Sequence, residues 1–339
     1  MTYTLPLPHL LLFVFVLISA FLNLLILYMI TKLRKHFPIF KNSFFHLSKS
    51  QIVAELIMFL QFTILMRGRK FHWLSNVIQE GTLIWDLLPR LSVAFHYYMK
   101  LVLYLGHVLF AFNRLSAALH PMDYERYWNN KNIFIARLVQ FLLPFVVLIY
   151  IPINPLHIIR FQRDKESERL RLYLGDKSNY LTSNIDLVAC LLCAFICFTI
   201  YITVIVIVQR QSKIMKESRK RSEIKDGNNG SPSNNKMSAE KRILITAMAL
   251  SISLLFNAII QVLTFYGAYK DDEDFVMTVN DISYPIVDTM YSLSPWLLLF
   301  TSSAIQKALY KLLCTDKLQG VFSQFTSSQY NSVPDTSNV

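Results

Sequence analysis

Glycine is scarce in this chain, with eight residues among 339. Transporters commonly consist of internal repeats and contain helices that glycine or proline breaks near the membrane midplane. No internal repeat is evident here, and the segments do not pair as two inverted halves. The shortage of glycine and of repeats therefore argues against a transporter.

Catalytic motifs are also missing from the sequence. It has no His-Glu-x-x-His or Gly-x-Ser-x-Gly motif, no phosphate-binding loop, no histidine-rich box and no pair of membrane aspartates. We therefore expect neither an enzyme nor a bound metal ion or cofactor.

Long apolar runs, in contrast, are abundant. A helix that crosses a bilayer needs about 20 mostly apolar residues, and these runs are too long for tilted membrane strands. The sequence therefore predicts an all-α, seven-transmembrane helix bundle in one receptor domain, residues 1–318. Its helices are expected at roughly 7–30, 44–66, 91–112, 133–153, 185–209, 243–268 and 282–305.

Basic residues predict how the bundle is oriented. With the N-terminus outside, the inner segments carry twenty Lys and Arg against eight Asp and Glu, whereas the outer loops carry eleven of each. Cytoplasmic loops are enriched in Lys and Arg, so we expect the C-terminus inside. The first run has no preceding basic segment and is too long for a signal peptide, so we interpret it as a retained signal-anchor helix. The basic segments suit lipid headgroups and do not indicate nucleic acid.

The C-terminal part, the cysteines and the second outer loop support further predictions. Residues 304–322 have the pattern of an amphipathic helix on the inner membrane surface, and residues 319–339 are expected to be a disordered cytoplasmic tail. Cys314 is a weak candidate for lipidation. The three cysteines of the fifth run, Cys190, Cys193 and Cys197, are interpreted as small packing residues. None of the four cysteines lies in an outer loop, so no extracellular disulfide is expected. Mixed charges in the second outer loop, 154–182, fit a short solvated helix.

Ionisable residues at membrane depth are costly and mark function. Glu55, Lys100 and Asp288 stand out in the second, third and seventh runs. Lys100 and Asp288 both fall in the outer half, so they either form a buried ion pair or line a wet cavity separately. Glu55 lies deeper and is interpreted as a bundle-core residue, as is Pro295.

Aromatic and amide side chains accompany these groups on the third, sixth and seventh runs. An apolar pocket with a few polar anchors is typical of a small-molecule site, although such residues also arise from bundle packing. The candidate pocket residues are His96, Lys100, Tyr104, Asn257, Gln261, Phe265, Tyr284, Asp288 and Tyr291.

The inner end of the third run carries a family resemblance. Phe112–Leu115 and His120–Tyr124 resemble the Asp/Glu-Arg-Tyr motif and following stretch of seven-helix G-protein-coupled receptors. The wider segment 112–128, together with Glu240–Ala247 and Ser294–Leu299, is similar to nematode serpentine chemoreceptors of the Srg superfamily. Class gamma is the first choice, and the sister class V is the second.

The resemblance implies a chemosensory receptor in the plasma membrane, including that of sensory cilia. It implies a small-molecule ligand and a heterotrimeric G protein as partners, with Asn113 and Arg114 on the G-protein side. Asn113 stands where the motif has an acid, and Ser294-Pro295 where most receptors have Asn-Pro. A membrane transporter and a ligand-gated odorant channel remain the alternatives, and the channel would place the N-terminus inside.

Overall fold

The computed structural model describes residues 7–32, 34, 38–70, 73–74, 78–154, 158–163, 170–226, 235–270 and 273–313. Within these residues the chain is nearly all α-helical: seven long helices form a bundle, an eighth, short helix follows the seventh, and one loop forms a β-hairpin. Cys314 and the predicted tail at 319–339 lie outside the described residues.

The helices are labelled in chain order. Two of them are composite: α2 continues from its regular part through a π-helical turn, and α4 consists of two segments with Pro144 between them. The bounds are α1 Leu7–Lys32, α2 Ser43–Gln61 with Phe62–Arg67 and Gly68–Lys70, α3 Leu83–Leu119, α4 Asn130–Leu142 with Phe145–Ile153, α5 Asp176–Asp226, α6 Asn235–Lys270, α7 Glu273–Thr301 and α8 Ser303–Leu313. Short helical turns occupy Pro38–Lys41 and Tyr124–Tyr127.

Apolar side chains cover the outside of the bundle. Helices α1 to α5 are long and apolar enough to cross a membrane, and α6 contains the shorter apolar stretch Ile252–Gly267. Large side chains such as Phe21, Phe195 and Val146 are more than 60% exposed. Carboxylates and amides such as Glu55 and Asn257 are instead buried. This distribution is the reverse of that in a water-soluble protein and fits a lipid environment.

A β-hairpin replaces the solvated helix expected in the second outer loop. Strand β1, Ile159–Arg163, pairs antiparallel with β2, Leu170–Leu174, so that Phe161 lies opposite Leu172. Apolar and polar residues alternate along both strands, which puts one apolar face on the first turns of α3. The ring of Phe161 packs edge-on against Trp85 of α3 with centroids 5.8 Å apart. The prediction of a helix was wrong because it weighed the charges and overlooked the alternation.

The hairpin defines one end of the bundle, called here the hairpin end. The opposite end, called the Arg114 end, contains the C-terminus of α3 and the N-terminus of α2. Helix α8 lies at the Arg114 end, where Ile305 and Ala308 pack with Ile30 of α1. Its lysines, Lys307 and Lys311, are exposed, so α8 has one apolar and one basic face.

Helices α2, α3 and α4 approach closely at a glycine. Gln140 of α4 donates through Nε2 to Gln51 Oε1 of α2 (3.2 Å) and to the Val102 carbonyl of α3 (3.3 Å). A Cβ atom on Gly106 would lie 1.8 Å from Gln51 Oε1 and 2.7 Å from Gln140 Nε2. The absence of a side chain at Gly106 therefore makes room for this buried amide pair.

We expect the substitution Gly106→Ala to destabilise the bundle by about 1–3 kcal/mol, the usual range for an overpacked core. The added methyl group must displace two buried amides. Gly68→Ala is the control, because its new Cβ would meet only Leu74 side-chain atoms, at 3.2 Å, and one carbonyl oxygen at 3.7 Å. Thermal unfolding of the detergent-solubilised variants measures the difference, and equal melting temperatures for both variants would contradict this packing.

Candidate functional site

Two buried ion pairs connect helices in the hairpin-end half of the bundle. Lys100 of α3 pairs with Asp186 of α5, and Arg67 at the end of α2 pairs with Asp288 of α7. All four residues are at most 5% exposed. Breaking a buried ion pair leaves an unpaired charge at high cost, so each pair restricts how its two helices pack.

Of the two alternatives for Lys100 and Asp288, a buried ion pair between them is wrong, because each pairs with a different residue. Asp186 faces α3 and is closer in space to Lys100, while the π-helical turn Phe62–Arg67 brings Arg67 to Asp288. π-helical turns change the direction of the side chains that follow them and are frequent at functional sites.

Hydrogen bonds extend the Lys100–Asp186 pair to α6. Tyr104 donates its hydroxyl to Asp186 Oδ1 at 2.9 Å. Asn257 of α6 donates through Nδ2 to the Tyr104 oxygen at 2.6 Å and lies 3.1 Å from Cys190 Sγ. We call these five residues the Asp186 cluster, and it joins α3, α5 and α6 through buried polar contacts.

The Arg67–Asp288 pair has aromatic surroundings. The guanidinium carbon of Arg67 lies 5.3 Å from the ring centroid of Phe13 in α1 and 5.2 Å from that of Phe62. These distances are within the range of cation–π attraction. Tyr291 donates its hydroxyl to Asp288 from one turn further along α7. Helices α1, α2 and α7 meet at this pair.

Phe62 is the centre of the second cluster. Its ring centroid lies 5.1 Å from that of Tyr284, 5.8 Å from that of His96 and 6.2 Å from that of Tyr291. His96 Nδ1 also lies 3.4 Å from Gln61 Oε1. Residues Gln61, Phe62, Arg67, His96, Tyr284, Asp288 and Tyr291 form what we call the Phe62 cluster.

The structure thus divides the predicted pocket residues into two groups. His96, Tyr284, Asp288 and Tyr291 belong to the Phe62 cluster, whereas Lys100, Tyr104 and Asn257 belong to the Asp186 cluster. The two other predicted residues belong to α6. Gln261 is 6% exposed, and Phe265 packs on Tyr180 of α5 with ring centroids 5.4 Å apart.

Five residues of these clusters were not among the predicted pocket residues: Gln61, Phe62, Arg67, Asp186 and Cys190. Asp186 is the only acid in the fifth apolar run, and a lone acid at membrane depth is the signal that could have identified it. Arg67 lies one residue beyond the predicted second helix, 44–66, and nothing in the sequence indicates the π-helical turn Phe62–Arg67. Gln61 is a neutral residue near the end of a run, so the sequence does not predict that packing leaves it only 5% exposed.

A third polar cluster lies at the Arg114 end. Tyr124, in the turn between α3 and α4, donates its hydroxyl to Asn113 Oδ1 at 3.2 Å and lies 2.5 Å from Ser43 Oγ. It also contacts Asn42, whose side chain caps the N-terminus of α2. Asn113 is 1% exposed. The α3–α4 turn is therefore fastened to the start of α2.

Arg114 packs against an aromatic ring. Its guanidinium carbon lies 4.0 Å from the ring centroid of Phe44 in α2, a favourable cation–π geometry. No carboxylate pairs with Arg114 among the residues that the structure describes. Asn113 cannot provide the ionic partner that an acid at this position would.

Glu55 lies in the bundle core between these ends. Asn23 of α1 donates through Nδ2 to Glu55 Oε2 at 3.2 Å, and Glu55 is 1% exposed. Pro295 is buried within α7, and the neighbouring Trp296 donates its indole N–H to Ser19 of α1 at 2.8 Å. These contacts join α1 to α2 and α7.

Two findings within the described ranges concern metal ligands and thiols. Within them, no group of three or more His, Cys, Asp or Glu side chains could hold a metal ion. Cys190, Cys193 and Cys197 are buried free thiols.

Removing either partner of the Lys100–Asp186 pair should be strongly destabilising. We expect Lys100→Met and Asp186→Asn each to lower the free energy of unfolding by about 3–5 kcal/mol, because each leaves a buried charge unpaired. The double variant should recover most of that loss. Chemical or thermal unfolding in lipid nanodiscs provides the measurement.

Two controls sharpen this experiment. Combining Lys100→Met with Asp288→Asn should recover nothing, because Asp288 belongs to the other pair. Glu80→Gln removes the exposed partner of Arg163, 3.8 Å away, and should change stability by less than about 1 kcal/mol. Recovery by Asp288→Asn would overturn the pairing described here.

Comparison with known proteins adds the family. No curated protein sequence matches the chain. A family model described as the serpentine type 7TM GPCR chemoreceptor Srv matches residues 12–314. The match is to Srv, the second choice of the sequence analysis, and it gives no support to class gamma. The chain belongs to the Srv family of serpentine seven-transmembrane chemoreceptors.

Proposed function

We propose that this chain is a receptor of the plasma membrane, including that of sensory cilia. It binds a small molecule near the hairpin end and activates a heterotrimeric G protein at the Arg114 end. The observation that carries the proposal is the unequal chemistry of the two ends. Buried charged, amide and aromatic side chains gather in the hairpin-end half, while Arg114, without a carboxylate partner among the described residues, lies near basic segments at the other end.

The orientation follows from the charge distribution. The segments that adjoin the Arg114 end hold most of the Lys and Arg residues, and basic segments favour the cytoplasm. The N-terminus of α1 is then outside and the chain from α8 onward is inside. A cytoplasmic partner with acidic groups would find complementary charge there.

The ligand site is proposed for the space bordered by the Phe62 and Asp186 clusters. Ligand sites in helical bundles are mostly apolar and contain a few fixed polar groups, and these clusters supply both kinds of side chain. Gln261 and Phe265 of α6 would complete the wall on the far side. A ligand that contacts α3, α6 and α7 there can favour one packing of these helices over another.

The proposed link to the G protein runs along α3. Lys100 lies 14 residues before Arg114, which is roughly 21 Å along a helix. A shift of α3 would disturb the contacts of Asn113 with Tyr124 and of Arg114 with Phe44. Release of these contacts and separation of α5 from α6 would open a groove for a helix of the G protein.

Arg114→Ala should abolish G-protein activation without reducing surface expression. The guanidinium is the one cation of α3 at this end and is held by an aromatic ring, not by a carboxylate. A calcium reporter in cells challenged with a panel of volatile and water-soluble compounds measures the response. Arg126→Ala, an exposed cation in the adjoining turn, is the control and should signal normally. Normal signalling by surface-expressed Arg114→Ala would contradict the assignment.

Tags at the two termini test the orientation. A tag before Met1 should be accessible to antibody in intact cells, while one after Val339 should be accessible only after permeabilisation. A ligand-gated odorant channel would show the opposite pattern, and the receptor proposal would fail with it.

A further inference from the structure

Two buried hydrogen-bond donors in the Phe62 cluster have no acceptor within the described residues. They are Nε2 of Gln61 and Nη1 of Arg67. Both residues are 5% exposed. Burying a donor without an acceptor costs about 1–3 kcal/mol, and more for a charged group, so a native protein seldom keeps two of them together without a partner.

One polar atom of each side chain has a partner within the cluster. Gln61 Oε1 lies 3.4 Å from His96 Nδ1, and Arg67 Nη2 donates to Asp288. The amide nitrogen of Gln61 and Nη1 of the Arg67 guanidinium thus remain without an acceptor among the described residues. Neither can accept a hydrogen bond, so the missing partner must provide acceptor atoms.

Both donors belong to residues that adjoin the same aromatic side chain, Phe62. The Arg67 guanidinium carbon lies 5.2 Å from the centroid of Phe62. The His96 ring, whose Nδ1 contacts Gln61 Oε1, lies 5.8 Å from the same centroid. Tyr284 adds a further ring at 5.1 Å. An acceptor group near Phe62 would therefore have an apolar aromatic surface beside it.

The electrostatic balance at this place favours an anion. Arg67 and Lys100 are each neutralised by one aspartate. Arg69 lies close enough to His96 to interact with it electrostatically, and it has no carboxylate partner among the described residues. The site therefore has one cation in excess, which repels an amine ligand and attracts an oxyanion.

We propose that the receptor recognises small carboxylic acids, and that it binds their carboxylate through Arg67 Nη1 and Gln61 Nε2. The guanidinium edge matches the planar geometry of a carboxylate, and such charge-assisted bonds are strong. The hydrocarbon part of the acid packs on Phe62 and Tyr284. This inference rests on the proposed function, because it names the ligand class of the same site.

The test uses the full-length receptor in lipid nanodiscs and a panel of carboxylic acids of increasing chain length. Each acid has a matched alcohol and a matched primary amine with the same hydrocarbon part. Ligand-dependent shifts of the melting temperature give apparent affinities. We expect at least one acid to stabilise the receptor, while its alcohol and amine do so at least about tenfold more weakly, the loss of one charge-assisted hydrogen bond.

Gln61→Glu is the most direct variant. Its Oε1 still faces His96, but the free amide donor becomes a carboxylate oxygen, which repels the bound acid. The affinity for the acid should fall about tenfold or more. Gln79→Glu adds the same charge to an exposed residue at the hairpin end and should leave the affinity unchanged. Where Gln61→Glu fails to fold, Arg67→Lys provides the test, because lysine still pairs with Asp288 but lacks the second guanidinium edge.

Three results would overturn the carboxylate proposal: no acid in the panel stabilises the receptor, the alcohols or amines match the acids, or both Gln61→Glu and Arg67→Lys keep the affinity for the acid. Failure of the proposed function looks different. If neutral compounds bind and activate a G protein through Arg114, the receptor assignment stands and only the ligand class is wrong. If compounds bind but none activates a G protein, the receptor function itself is wrong.

Discussion

The lipid around the bundle offers no hydrogen bonds, so each buried polar group must find its partner within the protein. This constraint explains why the four buried charged residues in the hairpin-end half occur as two pairs and why hydroxyls and amides contact those pairs. Lys100 with Asp186 fixes α3 against α5, and Arg67 with Asp288 fixes α2 against α7. Tyr104 and Asn257 then bring α6 into the same network.

Helix α3 is common to every polar cluster that bears on function. It carries His96 in the Phe62 cluster, Lys100 and Tyr104 in the Asp186 cluster, and Asn113 at the Arg114 end. A ligand that alters the contacts of α3 near the hairpin can therefore bias its contacts at the other end. Hydrogen bonds and ion pairs are either formed or broken. A helix held by them therefore switches between alternative packings and does not deform gradually. We regard this shared helix as the physical basis of the proposed signalling.

The sequence predicts the bundle better than it predicts the site. Run length and hydropathy place each of the first six runs within a helix, because lipid demands long uninterrupted apolar stretches. The predicted seventh helix, 282–305, extends too far, because α7 ends at Thr301 and α8 begins at Ser303 after a one-residue break. Lys100 and Asp288 were recognisable as candidate site residues from their cost in lipid, but their partners depend on helix rotation and on the π-helical turn in α2. The hairpin was missed although its alternation, Ile159-x-Phe161 and Leu170-x-Leu172, was present.

Two specific ion pairs hold together the helices of the proposed ligand site. A cryo-electron microscopy structure of the full-length receptor in lipid nanodiscs, at a resolution that shows side chains, tests this pairing most directly. We predict density that joins Lys100 to Asp186 and Arg67 to Asp288, with Tyr104 and Asn257 bonded beside the first pair. Density that joins Lys100 to Asp288, or that turns Arg67 outward into solvent, would contradict the arrangement of the site.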